Sequence, residues 1–336
     1  MKLLVSIALL TVALFTISMM NRQPHASLEA EVTPSADSLL QNPEELGAVH
    51  WLRDLESGKL AAEKSGKPLL VLFQEVPGCS NCTRYGNTTL SHPLIVEAIE
   101  THFVPVCIYN NKGGKDGEAL KLFNEPAWNN PVVRIVGADY QDIVPRMPQF
   151  NSPAQLLTGM RQALEKGNQK APKYLGLLEE EYLARETGLE TATFTMSCFW
   201  TGEGTFGGIN GVIETEPGFQ DGREVVKIQF NPAVISKPDL EKLTNPQGMK
   251  ACSHNTGFRV DREPKYYLAH SEYCFIPMTS VQACRINSLV GKNQLPEGLL
   301  SPRQLGLLKK IQSSPDKKWK SMIGRSDLAK AWAEVN

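Results

Sequence analysis

The amino-acid sequence predicts a chain of mixed α/β and α+β class, built as two folded units in series. Between Val49 and Lys166, short apolar runs of strand length alternate with stretches of helical length. A polar break, Gly167 to Lys173, interrupts that alternation. A second series follows it, and 336 residues suffice for two cores of ordinary size.

In the first unit, expected at residues 49–166, Trp51-Leu52 opens the fold. Leu55, Leu60 and Ala61 suit a short amphipathic helix ending near Gly66. Leu69 to Phe73 is a continuous apolar run between Pro68 and the turn Val76-Pro77-Gly78, which reads as a buried central strand. Cys79 to Asn87 opens the next helix. Ser91 is expected to cap another, with Pro93 in its first turn, running to about His102. Phe103–Tyr109 and Val132–Val136 read as strands, Asp116–Phe123 and Ser152–Lys166 as helices. Residues 167–189 are expected as a linker with an acidic helical stretch, Tyr174 to Glu186. The second unit is placed at 190–292 and starts with the strand Ala192–Met196. C-terminal helices, Ser301–Ile311 and Ser326–Val335, occupy 293–336.

The N-terminus reads as a targeting segment. Lys2 precedes the apolar run Leu3–Met20, the pattern of an export signal. Eighteen helical residues span roughly 27 Å, close to the hydrocarbon thickness of a bilayer. No small-x-small cleavage site follows at once, so residues 1–20 are read as an uncleaved membrane anchor in preference to a removed signal peptide. Residues 21–48, polar and carrying Pro24, Pro34 and Pro43, are read as a tether. The body is therefore expected outside the cytoplasm, in the periplasm or an equivalent compartment where cysteine pairs cycle oxidatively. A net charge of −1 with mixed signs excludes a general nucleic-acid partner.

The seven cysteines are an odd number, which argues against a purely structural disulfide framework. Cys79 and Cys82 form a C-x-x-C where a strand gives way to a helix. There, free backbone amides and the helix dipole favour a thiolate, and the second cysteine lies one turn away to resolve a mixed disulfide. The alternative is a structural C-x-x-C, as a static disulfide or half a zinc site. Zinc needs two further ligands, and His92 and His102 fall on another helix, so no metal or other cofactor is expected. Cys107, inside an apolar strand, reads as core. Asn130-Pro131 precedes the strand Val132–Val136. Together with the C-x-x-C this resembles the thioredoxin superfamily. The string Val76-Pro77-Gly78-Cys79-Ser80-Asn81-Cys82-Thr83 further resembles a thioredoxin-like family with cysteine or selenocysteine at the position of Cys79. The resemblance implies that Cys79 attacks, Cys82 resolves, and a cis Pro131 lies against the pair at the substrate site.

A second strand-to-helix cysteine is Cys198, in Ser197-Cys198-Phe199-Trp200. From the residues alone, a reactive thiol and a buried structural cysteine stay equally open. The segment Ala192 to Val260 looks like the A-type peptide methionine sulfoxide reductases, which implies a ferredoxin-like α/β domain. On that match Cys198 attacks the sulfoxide sulfur, Glu224 (in Arg223-Glu224-Val225-Val226) protonates its oxygen, and Phe199 and Trp200 hold the methyl group. Four positions depart from the family. The glycine before its nucleophile is Ser197 here, its two oxygen-binding tyrosines are Phe219 and Phe258, and an aspartate is Ser253. Cys252, Cys274 and Cys284 are candidates to resolve Cys198, with Cys252 favoured because it flanks a matched segment; plain packing is the other reading. Tyr266, Tyr267 and Tyr273 read as core aromatics in preference to replacements for the missing phenols. The expected function is an exported oxidoreductase in which the first unit, fed by an upstream thiol reductant, reduces the second, which repairs oxidised methionine in protein substrates. The alternative is a thiol–disulfide oxidoreductase whose second unit only binds.

Overall fold

The computed structural model describes residues 42–148 and 152–335. The expected anchor at 1–20 and most of the tether lie outside the described residues. Among the described residues no helix is long and apolar enough to cross a membrane. The tether reading runs too far at its C-terminal end. Glu44–Leu46 forms a 3-10 turn with Glu45 and Leu46 buried, because Leu46 joins the first core.

The first part of the chain forms α1 (Leu55–Ser65), β1 (Leu69–Gln74), α2 (Ser80–Thr88), α3 (Pro93–His102), β2 (Val104–Tyr109), α4 (Lys115–Leu122), β3 (Val132–Val136) and α5 (Pro153–Lys166). The sheet order is β2-β1-β3, with β2 parallel and β3 antiparallel to β1. Isolated bridges, Leu52 to Val106 and Val136 to Asp142, extend both edges. Every residue of β1 is buried, as its unbroken apolar run requires of a central strand. Its side chains alternate between two cores. Leu70 and Leu72 face one with α3 and α5, while Leu69, Val71 and Phe73 face another with α4. At the start of α3 the cap is His92. Ser91, expected there, instead donates its hydroxyl to Gly86 O at 2.8 Å. Pro93 at the first helical position forces the preceding residue into an extended conformation, and that residue is His92.

The expected linker contains α6 (Lys173–Thr187), and this helix is structural. Tyr174, Leu175 and Leu178 enter the first core. Glu180 accepts from Gly211 N at 2.9 Å and from Arg285 at 2.7 Å, and Glu181 accepts from Val281 N at 3.1 Å. The helix therefore carries side chains of the first core on one side and anchors the rest of the chain on the other.

Beyond it come β4 (Glu190–Thr195), α7 (Phe199–Gly207), β5 (Val212–Gln220), β6 (Arg223–Phe230), α8 (Lys237–Thr244), β7 (Lys250–Ala251), β8 (Arg259–Val260), α9 (Tyr266–Ala269), α10 (Ser280–Gly291), α11 (Pro302–Gln312) and α12 (Leu328–Ala333). The sheet is antiparallel in the order β7-β4-β6-β5-β8. Ala192, Phe194, Val226 and Ile228 pack with Phe199 and Phe206 of α7, an α+β layer arrangement. The C-terminal helices fold back onto both parts. Leu328 lies in the first core, and Arg303 N donates to Glu97 Oε1 at 2.7 Å.

Candidate functional site

Cys79 is the N-cap of α2, with φ −97° and ψ 118°. Its Sγ accepts from Cys82 N–H at 3.4 Å, so the sulfur occupies the place of a capping oxygen. An anion there is stabilised by the amide and by the helix dipole. Cys79 is half-buried and Cys82 fully buried. The Cys82 thiol donates to Asn130 Oδ1 at 3.1 Å. Burial, and then the hydrogen bond with Cys79, lift the Cys82 thiol far above the ordinary cysteine range. The pair is thus asymmetric: a half-buried sulfur at the helix start and a fully buried thiol behind it. Gln74 Nε2 donates to Cys82 O at 3.3 Å and also to Glu45 O, while Gly78 N donates to Glu45 Oε1 at 3.3 Å. The 3-10 turn at 44–46 therefore braces the cysteine loop. The Val76–Pro77 and Asn130–Pro131 peptides are both cis.

The second site also sets a cysteine at a helix start, but here the sulfur takes no capping hydrogen bond. Cys198 is the half-buried N-cap of α7, at the end of β4. Phe199 N–H donates to Glu224 Oε2 at 2.8 Å, so the first free amide of the helix holds a carboxylate from β6 beside the cysteine. Glu224 O in turn accepts from Met196 N–H and from the Thr195 hydroxyl, each at 3.2 Å, locking β6 to the segment that leads into Cys198. The Phe199 ring meets Phe219 edge-on at 5.3 Å and Trp200 at 5.6 Å. Trp200 is stacked by Tyr266, with centroids 3.9 Å apart and planes 16° apart. Phe258 lies over Gly218, where a Cβ would fall 2.6 Å from its ring, and under Lys227 Nζ at 4.5 Å. What gathers is a thiol, a carboxylate and an aromatic wall, which suits attack on an apolar, oxygen-bearing sulfur.

Residues 50–138 match the family model described as thioredoxin-like. The cysteine pair, its helix and Asn130-Pro131 all fall inside that match. Residues 50–138 form a thioredoxin-like domain. A thioredoxin from Thermus thermophilus is similar at 21% identity and a TM-score of 0.31, covering 35% of this chain and 89% of that one. A DsbH oxidoreductase is similar at 16% identity and a TM-score of 0.31, covering 38% and 92%. The chain also resembles peptide methionine sulfoxide reductases MsrA of Methanococcus maripaludis. The strain C6 protein is 40% identical and the strain C5 protein 39%, each over 74 residues, 17% of this chain and 47% of the relative. The chain spans about half the length of these curated relatives. The thioredoxin-like domain and this partial similarity support a redox function.

Around the thioredoxin-like domain, the other sequence-derived candidates separate by burial. Cys107 is fully buried in β2, its thiol pushed up by burial. His92 meets Tyr182 edge-on and His102 lies 3.4 Å from the Tyr174 hydroxyl. Among the described residues no group of three or more ligand side chains could hold a metal. Cys284 is fully buried, its Sγ 3.6 Å from Ile213 O, and burial pushes it up to about 12. Cys274 is also buried and pushed up to about 11. Cys252 alone of the three is half-buried. Its N–H donates to Thr193 O at 2.8 Å, and burial raises its thiol. Ser253 is exposed. Tyr273 is core, as expected, whereas Tyr266 and Tyr267 are only half-buried, Tyr266 against the Trp200 face. Sequence reasoning assigned Tyr266 to the core and missed Gln74 and Glu45. Only contacts made by folding place them at the sites, and no local pattern signals them.

Proposed function

We propose that the chain is an exported two-step reductase in which the thioredoxin-like domain supplies electrons to a methionine sulfoxide-reducing site at Cys198. The Cys198 thiolate attacks the sulfoxide sulfur, and the oxygen leaves that sulfur for the cysteine with a proton delivered through Glu224. Cys198 becomes sulfenic acid and the sulfoxide becomes a thioether, a two-electron exchange. Cys252, the most accessible of the three further cysteines, then attacks the sulfenic acid, releasing water and forming a disulfide. Cys79 cleaves that disulfide, Cys82 resolves, and an external dithiol reductant reloads the pair. Linking the two sites in one chain raises the effective concentration of the reductant without new affinity. Protein-bound methionine sulfoxide, of the S epimer that the A-type relatives imply, is the proposed substrate. Lys2 and the apolar run to Met20 support export and tethering.

One contact carries this reading: Phe199 N–H to Glu224 Oε2 at 2.8 Å, which brackets nucleophile and acid at one helix start. The test is turnover of methyl p-tolyl sulfoxide with dithiothreitol, expected in the unaltered chain and lost in Cys198→Ser. Equal rates in the two proteins would defeat it. A second reading, thiol–disulfide exchange alone, is favoured by the phenylalanines at 219 and 258. A missing donor to developing oxygen charge typically costs about 2.7–4 kcal/mol of barrier. That reading expects insulin reduction that needs Cys79 and no sulfoxide turnover at all.

A further inference from the structure

We propose that Tyr266 supplies the phenolic hydrogen bond to the sulfoxide oxygen that positions 219 and 258, both phenylalanine, cannot give. This deepens the reductase reading and rests on it. A continuous aromatic wall runs from Phe219 through Phe199 and Trp200 to Tyr266, with successive centroids 5.3, 5.6 and 3.9 Å apart. Cys198 and Glu224 sit at the start of the helix that bears the middle two rings.

Tyr266 is placed there by a dedicated anchor. Lys265 is buried and holds a left-handed backbone, φ +58°, which long side chains rarely adopt and which persists where the surroundings over-determine it. Its N–H donates to Glu203 Oε2 at 2.7 Å and its Nζ to Glu203 Oε1 at 3.1 Å and Glu214 Oε1 at 2.6 Å. Glu203 lies one turn after Trp200 on α7. The helix that presents Trp200 therefore also fixes the residue before the tyrosine stacked on it.

Two other hydroxyls near the wall are committed elsewhere. The Tyr273 hydroxyl donates to Glu297 Oε1 at 2.5 Å, and the Thr195 hydroxyl to Glu224 O. The Tyr267 ring fills the gap between Gly204 and Gly291, where added Cβ atoms would lie 3.3 and 2.6 Å from it. Trp200 Nε1 is buried and makes no hydrogen bond to the protein. The phenol of Tyr266 would donate to the oxygen as negative charge builds on it during attack by Cys198. The proton that completes transfer of oxygen to the cysteine still comes through Glu224, so the overall exchange is unchanged.

The test compares the full chain with Tyr266→Phe, which keeps the ring and removes only the hydroxyl, and with Tyr267→Phe, the same change at the neighbouring tyrosine, as a control. The substrate is methyl p-tolyl sulfoxide with saturating dithiothreitol. Tyr266→Phe is expected to lower kcat roughly a hundredfold with KM little changed and an unaltered melting temperature, because the bond strengthens only in the transition state. Tyr267→Phe is expected to match the unaltered chain. A Tyr266→Phe kcat within twofold of the unaltered chain, or a loss confined to Tyr267→Phe, overturns the assignment and leaves the reductase reading standing. Absence of Cys198-dependent turnover in the unaltered chain overturns both.

Discussion

Replacing Lys265 with methionine keeps the stem's volume and removes the charge that neutralises a buried carboxylate. Glu203 is 0% exposed and Lys265 4%. Without the ammonium, Glu203 retains the Thr215 hydroxyl at 3.1 Å and the residue 265 amide at 2.7 Å. Breaking such a pair costs about 3–5 kcal/mol, because the remaining charge is left uncompensated. The melting temperature should fall by roughly 10 °C. The sign of the pH dependence follows from Glu203. Burial already raises its carboxyl with Lys265 present, and losing the ammonium raises it further. Over the pH range between its unfolded and folded values, Glu203 then holds a proton only in the folded state, so stability rises as pH falls, by at most about 1.4 kcal/mol per unit. Thermal unfolding at pH 7.5, 6.5 and 5.5 should show Lys265→Met recovering relative to the unaltered chain on acidification. Adding Glu203→Gln should restore much of the loss. A deficit independent of pH, or below about 1 kcal/mol, refutes the reasoning.

Other outcomes follow from the same geometry. Cys79→Ser should abolish insulin disulfide reduction yet spare sulfoxide turnover driven by dithiothreitol, measured side by side. Cys82→Ser should accumulate a mixed disulfide at Cys79, visible by mass spectrometry, because the resolving thiol is gone. Glu224→Gln should lower kcat/KM for the sulfoxide by roughly 10²–10⁴-fold, the usual range for a lost general acid. Gly218→Ala places a Cβ 2.4 Å from Arg259 O and 2.6 Å from the Phe258 ring, and should destabilise the chain by about 1–3 kcal/mol in denaturant titration.

Much of this architecture was legible locally. The unbroken run Leu69–Phe73 marked the central strand because a strand buried on both faces has no polar side to show. The placement of Cys79 and Cys198 at helix starts was legible because a strand-to-helix junction needs only adjacent residues. The role of α6 was not. Its acidic, linker-like sequence hides Glu180 and Glu181, whose partners Arg285 and Val281 lie about a hundred residues on. The 44–46 turn was hidden for a similar reason, since Glu45 acquires its meaning from Gln74 and Gly78. Lys265 reads as one more surface lysine until Glu203 and Glu214 are brought beneath it. The cap at His92 was within reach, because a proline at the first helical position fixes which residue precedes it.

Electron counting tests the proposed relay most directly. The chain is fully reduced, freed of reductant, given excess methionine sulfoxide, and the methionine formed per chain is measured. Each sulfoxide takes two electrons, so Cys198 with Cys252 and Cys79 with Cys82 together should yield about two equivalents, falling to about one when Cys79 and Cys82 are both serine. A yield of one in both proteins would mean that the two sites do not exchange electrons.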